Sequence, residues 1–106
     1  MRVIRQGDVM AIPLDSAPEG ERTYQKSRLI RRGEHGGKHE IATLERAHIF
    51  SIVDEATNIA TRYIEVLDNT QIVHNEHGSV QLSPGFYAIR IQREFFENQG
   101  MRLTGD

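Results

Sequence analysis

Short runs of β-branched and aromatic residues, separated by turn residues, recur along this chain and show little helical periodicity. The segment 47–53 carries apolar side chains at both odd and even positions, which is typical of a strand covered on both faces. The segment 61–67 divides into two distinct faces, with Arg62, Ile64 and Val66 on one of them. The pattern predicts strands at residues 9–13, 28–31, 47–53, 61–67, 70–74, 79–82 and 86–95.

Turn residues delimit these strands. The segment 16–25 contains proline and glycine and few apolar side chains, which predicts a loop. The segment 33–38 holds three glycines in six residues and predicts a turn, and residues 75–78 predict the tip of a hairpin. Gly7 predicts a further turn into the first strand, in which the Asp8 side chain bonds its own backbone.

A chain of 106 residues corresponds to one domain, and we expect residues 1–106 to form a single, mainly β domain. Short strands at close spacing favour a small antiparallel barrel or sandwich. Apolar runs fall far short of the ~20 residues that span a bilayer, so we expect no membrane association. The absence of cysteine excludes disulfides and thiolate metal sites and fits a cytoplasmic protein. A thin core and several strand edges favour a homo-oligomer.

Charge is distributed unevenly along the chain. The net charge of −2 argues against general nucleic-acid binding. Residues 26–38 nevertheless hold five cations and one anion, a local charge of +4. This stretch is either a solvated basic face or, with glycine N–H groups, a nest for a small or anionic ligand. The residues predicted to bind such an anion are Arg31, Arg32, Gly36, Gly37 and Lys38.

Four of the five histidines lie in two clusters that contain glycine, at residues 33–40 and 74–78. Imidazoles and carboxylates on turns are the usual material of metal sites and acid–base sites. The predicted ligands of a divalent transition metal (Zn, Fe or Mn) are His39, His74, Glu76 and His77. A polar hairpin tip and a metal-free acid–base or ligand-contact role stay open as alternatives. His48 begins an apolar strand and is expected to be a histidine of the sheet.

Five short sequence motifs follow one another along the chain. They are Gln6-Gly7-Asp8-Val9, Gly33-Glu34 followed by Gly37 and His39, His74-Asn75-Glu76-His77-Gly78, Pro84-Gly85-Phe86-Tyr87, and Gln92-Arg93-Glu94-Phe95. In this order the chain resembles a group of small uncharacterised bacterial and phage proteins. Members of that group often carry a Gly-His-x-His arrangement in the first loop, where this chain has Lys38 and His39. The resemblance implies a compact domain and nominates these residues without naming an activity.

Three functions follow from these observations. The first is a small non-enzymatic binding or regulatory protein, derived from a phage or mobile element, that holds a small or anionic ligand. The second is a histidine–carboxylate metal-binding protein on a cupin-like barrel, with or without catalysis. The third is a homo-oligomeric structural or interaction protein. The first is preferred and catalytic residues stay unassigned, because the chain has no cysteine and no serine in a nucleophile elbow.

Overall fold

A computed structural model describes residues 2–33 and 36–92, and this part of the chain folds into β-strands joined by turns. The strands are β1 (Ile4–Gln6), β2 (Val9–Pro13), β3 (Thr23–Tyr24), β4 (Leu29–Arg32), β5 (Lys38–Ile41), β6 (Ala47–Asp54), β7 (Ile59–Val66), β8 (Thr70–Val73), β9 (Val80–Leu82) and β10 (Gly85–Ile91). No helix in these two ranges is long and apolar enough to cross a membrane.

The strands pair antiparallel into two sheets. The larger sheet has six strands in the order β1-β2-β10-β7-β6-β3, and the smaller has four in the order β4-β5-β8-β9. Ile49 and Ile64 from the larger sheet meet Ile41 and Ile72 from the smaller sheet in one core that excludes solvent. Within the described residues the sheets stay separate and do not close into one barrel. The sandwich is therefore the correct one of the two predicted architectures.

The strands with a clear apolar pattern are confirmed. β2 matches its predicted bounds, and β4, β6, β7, β8 and β9 differ from theirs by one or two residues at an end. The predicted hairpin at residues 70–82 forms, because Thr70 lies opposite Leu82 across β8 and β9. The predicted strand 86–95 is observed as β10, and residues 93–95 of that prediction lie outside the described part of the chain.

Three strands were not predicted, and each has a physical reason. β1 and β3 are only three and two residues long, and β3 lies inside the predicted loop 16–25. β5 reads Lys-His-Glu-Ile, with Lys38 exposed and His39 and Ile41 buried. Its inward face thus carries an imidazole where a strand pattern needs an apolar residue, so hydrophobicity alone does not predict a strand there.

Arg62 on β7 connects the larger sheet to the smaller one. Its Nη1 donates to the carbonyl oxygen of Ile30 at 2.6 Å, and its Nη2 donates to the carbonyl oxygen of Leu29 at 3.1 Å. Nη2 also donates to Oε1 of Gln25 at 2.8 Å. Burial lowers the pKa of Arg62 from its ordinary value, yet a guanidinium stays protonated in proteins. The cation therefore serves as a fixed set of donors between the sheets.

Replacing Arg62 with alanine should lower the free energy of unfolding by roughly 2–3 kcal/mol, because several partly buried acceptors lose their donor. Urea denaturation followed by circular dichroism measures this loss. Arg46→Ala is the matched control, since the Arg46 guanidinium donates one exposed hydrogen bond to the carbonyl oxygen of Asn69 at 3.1 Å. It should cost less than about 1 kcal/mol. Equal losses in the two variants would contradict the bridging role of Arg62.

Candidate functional site

Three imidazole rings converge at one end of the sandwich. His39 lies on β5, and His74 and His77 lie on the connection between β8 and β9. The ring centroids of His39 and His74 are 4.4 Å apart, those of His74 and His77 are 4.5 Å apart, and those of His39 and His77 are 6.0 Å apart. The two histidine clusters of the sequence thus meet in space.

The rings border a cavity of about 230 Å³, which we call the histidine cavity. Its lining residues are Asp8, Arg31, Gly33, Gly37, His39, His74, Glu76 and His77. All four predicted metal ligands are among them. His39 is almost completely buried, at 2 % exposure, whereas Glu76 and His77 are exposed on the hairpin tip. His39 is therefore fixed by packing, whereas Glu76 and His77 have room to turn.

Gln6 determines how the His39 ring is used. The Gln6 Nε2 group donates to the carbonyl oxygens of Ile72 at 3.0 Å and of Gly78 at 2.9 Å. Because both amide protons are occupied, Oε1 of Gln6 acts as the acceptor, and it lies 2.8 Å from Nδ1 of His39. The hydrogen-bond network thus assigns the proton of neutral His39 to Nδ1. The lone pair of Nε2 is left for the cavity.

The Nε2 atom of His39 faces another acceptor. Oδ1 of Asp8 lies 3.7 Å from it, and Oδ2 of Asp8 lies 3.3 Å from Nε of Arg31. With neutral His39, two lone-pair atoms confront each other with no proton between them. Such a pair is stabilised by a cation or a donor placed between its members.

The His74 ring has a different role. Its Nδ1 accepts hydrogen bonds from the backbone N–H groups of Glu76 at 2.9 Å and His77 at 3.0 Å. These bonds organise the hairpin tip in the manner of a side-chain-stabilised turn. They also place the proton of neutral His74 on Nε2, so this ring presents a donor rather than a lone pair.

Two glycines allow the turns to approach the imidazoles. Gly7 has a φ of +59°, and a Cβ atom there would lie 2.9 Å from Nε2 of His77. A Cβ atom on Gly37 would lie 2.7 Å from both Cε1 and Nε2 of His74. Nδ1 of that ring is already hydrogen-bonded, so the ring cannot move aside freely. The close approach of both turns therefore depends on residues without a side chain.

Burial, the largest cause, lowers the pKa of His39 from its ordinary value of 6.5. Electrostatic repulsion from His74 lowers it further, and the Asp8 carboxylate opposes this only in part. His39 is therefore neutral at physiological pH, with its Nε2 lone pair available to a metal, a proton or a donor group.

The residues predicted to bind an anion do not form one cluster. Arg31 lies opposite His39 in the β4–β5 ladder and lines the histidine cavity together with Gly37. Arg32 lies opposite Lys38, and both are exposed. Because neighbouring strand residues point to opposite faces, these two cations lie on the face away from His39. Lys38 and Gly36 instead line a second cavity of about 420 Å³.

Sequence reasoning gave no role in a metal or anion site to two residues found here, Gln6 and Asp8. The expectation for Asp8 was a bond to its own backbone, but its carboxylate faces Arg31 and His39. A weak signal existed, since two polar side chains flank a glycine turn at Gly7. Their partners are 23 or more residues away in the chain, which short-range patterns cannot reveal. Glu34 and His35 of the glycine-rich segment lie outside the described residues.

The side chains have not closed into a coordination sphere. In residues 2–33 and 36–92, no three histidine, aspartate or glutamate side chains are positioned to hold a metal ion as they stand. The donors border one cavity, however, and Asp8, Glu76 and His77 are exposed side chains on turns. Rotation of these side chains about fixed His39 is the movement that metal binding requires.

Replacing Gly37 with alanine should destabilise the protein by about 1–3 kcal/mol, because the new methyl group overlaps the His74 ring. Gly78→Ala is the matched control, since neither glycine has a left-handed φ and a Cβ on Gly78 meets nothing within 4 Å. Thermal denaturation of both variants, with the imidazole nitrogen resonances of His74, measures the effect. A Gly37→Ala variant as stable as Gly78→Ala, with unchanged His74 resonances, would disprove this packing.

The metal-free protein should lose stability in acid through His39. The unfolded chain takes up a proton at the ordinary pKa of 6.5, whereas folded His39 takes it up only at lower pH. The contribution is therefore complete above pH 6.5 and is lost as the pH falls towards the lowered pKa of the folded state. Urea denaturation in the presence of a chelator, at about pH 7.5 and about pH 5, compares the wild type with His39→Gln. The free energy of unfolding of the variant should fall less between these two pH values than that of the wild type. An equally large fall in both proteins would show that other groups cause it.

Comparison with curated proteins and with solved structures gave no match to this chain. A family model described as a domain of unknown function (DUF8820) matches residues 5–92. The matched stretch covers all ten strands apart from Ile4, the first residue of β1. It also includes every residue that lines the histidine cavity. The chain therefore belongs to the DUF8820 family.

Proposed function

We propose that this protein binds a divalent transition-metal ion in the histidine cavity through His39, His77 and Asp8. The observation that carries the proposal is the opposition of two acceptors, Nε2 of neutral His39 and Oδ1 of Asp8, across 3.7 Å. A lone pair that faces a carboxylate across this distance is stabilised by a cation or a donor between them. The proposal is confined to binding, since a donor set by itself names no reaction.

The distance suits a metal ion. Imidazole nitrogen and carboxylate oxygen bind Zn²⁺ at about 2.0–2.2 Å. An ion that lies about 2.1 Å from each of two atoms 3.7 Å apart makes a nitrogen–metal–oxygen angle of roughly 120°. This angle is compatible with tetrahedral coordination. The Nδ1–H of His39 is hydrogen-bonded to Gln6, and metal-binding histidines usually have such an outer partner.

His77 is the best third ligand. Nε2 of His77 and Cε1 of His39 both border the space above Gly7, at 2.9 Å and 3.3 Å from the position of a Cβ atom on that glycine. Nε2 of His77 therefore lies close to the His39 ring. Two histidines and one carboxylate form a common set for Fe²⁺, Mn²⁺ and Zn²⁺, and they leave coordination positions open.

Two residues of the sequence-predicted set take lesser roles in this proposal. Nδ1 of His74 is occupied by two backbone N–H groups, so its Nε2 carries a proton and lies outside the coordination sphere. Glu76 lines the cavity and supplies a further carboxylate when its exposed side chain turns inward. Anion binding without a metal is less favoured, because Asp8 and Glu76 together outweigh the charge of Arg31.

Purified protein should bind close to one equivalent of Zn²⁺ or Co²⁺ and should be stabilised by it, because a metal that binds only the folded state raises its stability. Isothermal titration and thermal denaturation measure the two effects. His77→Ala should weaken binding by at least about tenfold, the usual minimum for losing a ligand or its support. His77 is exposed, so the variant should still fold.

His48→Ala is the matched control for this experiment. His48 lies on β6 opposite Glu65, with its ring centroid 6.1 Å from that of Tyr24, and it does not line the histidine cavity. Its loss should leave metal affinity unchanged. A wild-type protein that shows neither heat of binding nor a thermal shift would disprove the proposal. Equal weakening in the His48 and His77 variants would place the metal elsewhere.

A further inference from the structure

The histidine cavity has a donor side that the metal does not use. Nε of Arg31 is shielded from solvent and, within the described residues, has no hydrogen-bond partner, although it lies 3.3 Å from Oδ2 of Asp8. A buried N–H group without an acceptor is destabilising. Arg31 borders the cavity, so an acceptor that enters the cavity can satisfy it.

A second donor lies on the same cavity. Because Nδ1 of His74 accepts two backbone hydrogen bonds, the proton of the neutral ring is on Nε2. Nε2 lies beside Gly37, which also lines the cavity. Arg31 and His74 thus present two N–H groups, while Asp8 and His39 present acceptors.

Charge decides when an anion can enter. With neutral imidazoles, the Arg31 cation against the Asp8 and Glu76 carboxylates leaves one negative charge around the cavity. A divalent ion changes that balance to one positive charge. An anion is therefore repelled by the metal-free cavity and attracted by the metal-loaded one.

We propose that the metal-loaded cavity binds a small oxyanion, a carboxylate or phosphate group, with one oxygen on the metal and others accepting hydrogen bonds from Arg31 and His74. This inference rests on the proposed metal function. Two histidines and one carboxylate leave positions free for such an oxygen. Arginine binds carboxylate and phosphate oxygens with directed N–H groups. A cavity of about 230 Å³ is many times the ~15 Å³ that one water molecule needs.

The test uses the Co²⁺-loaded protein, because its visible absorption spectrum reports any change of ligand at the metal. Inorganic phosphate and acetate are titrated separately into the wild type, Arg31→Met and Arg32→Met. Arg32 is the matched control, since it is the next residue on β4, is exposed and does not line the histidine cavity. Either anion should change the wild-type and Arg32→Met spectra. Arg31→Met should bind that anion about tenfold or more weakly while still binding Co²⁺.

A second measurement needs no variant. By linkage, an anion that binds the metal-loaded protein more tightly must raise the affinity for Co²⁺ by the same factor, so Co²⁺ titrations with and without the anion test the coupling in the wild type. A response to phosphate alone identifies a phosphate site, and a response to both anions identifies a general oxyanion site.

The outcomes separate the two proposals. Co²⁺ binding with no spectral change and no coupling for either anion overturns the oxyanion site and leaves the metal function standing. Equal anion affinity in Arg31→Met and Arg32→Met also overturns it, as does equal anion binding without metal. Failure of Co²⁺ to bind the wild type overturns both.

Discussion

The buried amide of Gln6 is the interaction on which the site depends. Gln6 ends β1 of the larger sheet, yet its side chain bonds the Ile72 carbonyl on β8 and the Gly78 carbonyl on the hairpin tip. Its remaining oxygen holds the His39 ring. One neutral side chain thus joins the two sheets, anchors the tip and determines which imidazole nitrogen faces the cavity. An apolar replacement would remove these three hydrogen bonds, which is why a polar residue belongs in this buried place.

The sequence predicts the parts of this molecule that depend on local chemistry. The strand at residues 47–53 is predicted by its apolar run. The hairpin at residues 70–82 is predicted by its glycine-containing tip. The meeting of His39 with His74 and His77 was also expected, because four of the five histidines lie in two short clusters of the sequence. The sequence does not predict which groups surround each of these imidazole rings. Gln6 and Asp8 act through partners that only the packing of two sheets brings near.

The glycine-rich segment shows why residue type alone is a weak guide to an anion site. Arg31, Arg32 and Lys38 are close in sequence, and a local charge of +4 suggests that they act together. Pairing of β4 with β5 separates them, since Arg31 shares a position with His39 and Arg32 shares the next one with Lys38. The period of two along a strand thus divides one charge cluster between two surfaces. Of these three cations, only Arg31 lines the histidine cavity.

The tautomer of His39 can serve as a reporter of tertiary structure. Its proton is held on Nδ1 by an amide from the other sheet, so the preference lasts only while the two sheets are packed together. If they separate without losing their strands, the ring becomes free to exchange its proton between both nitrogens. A single imidazole resonance would then distinguish an intact sandwich from a partly opened one that retains its secondary structure.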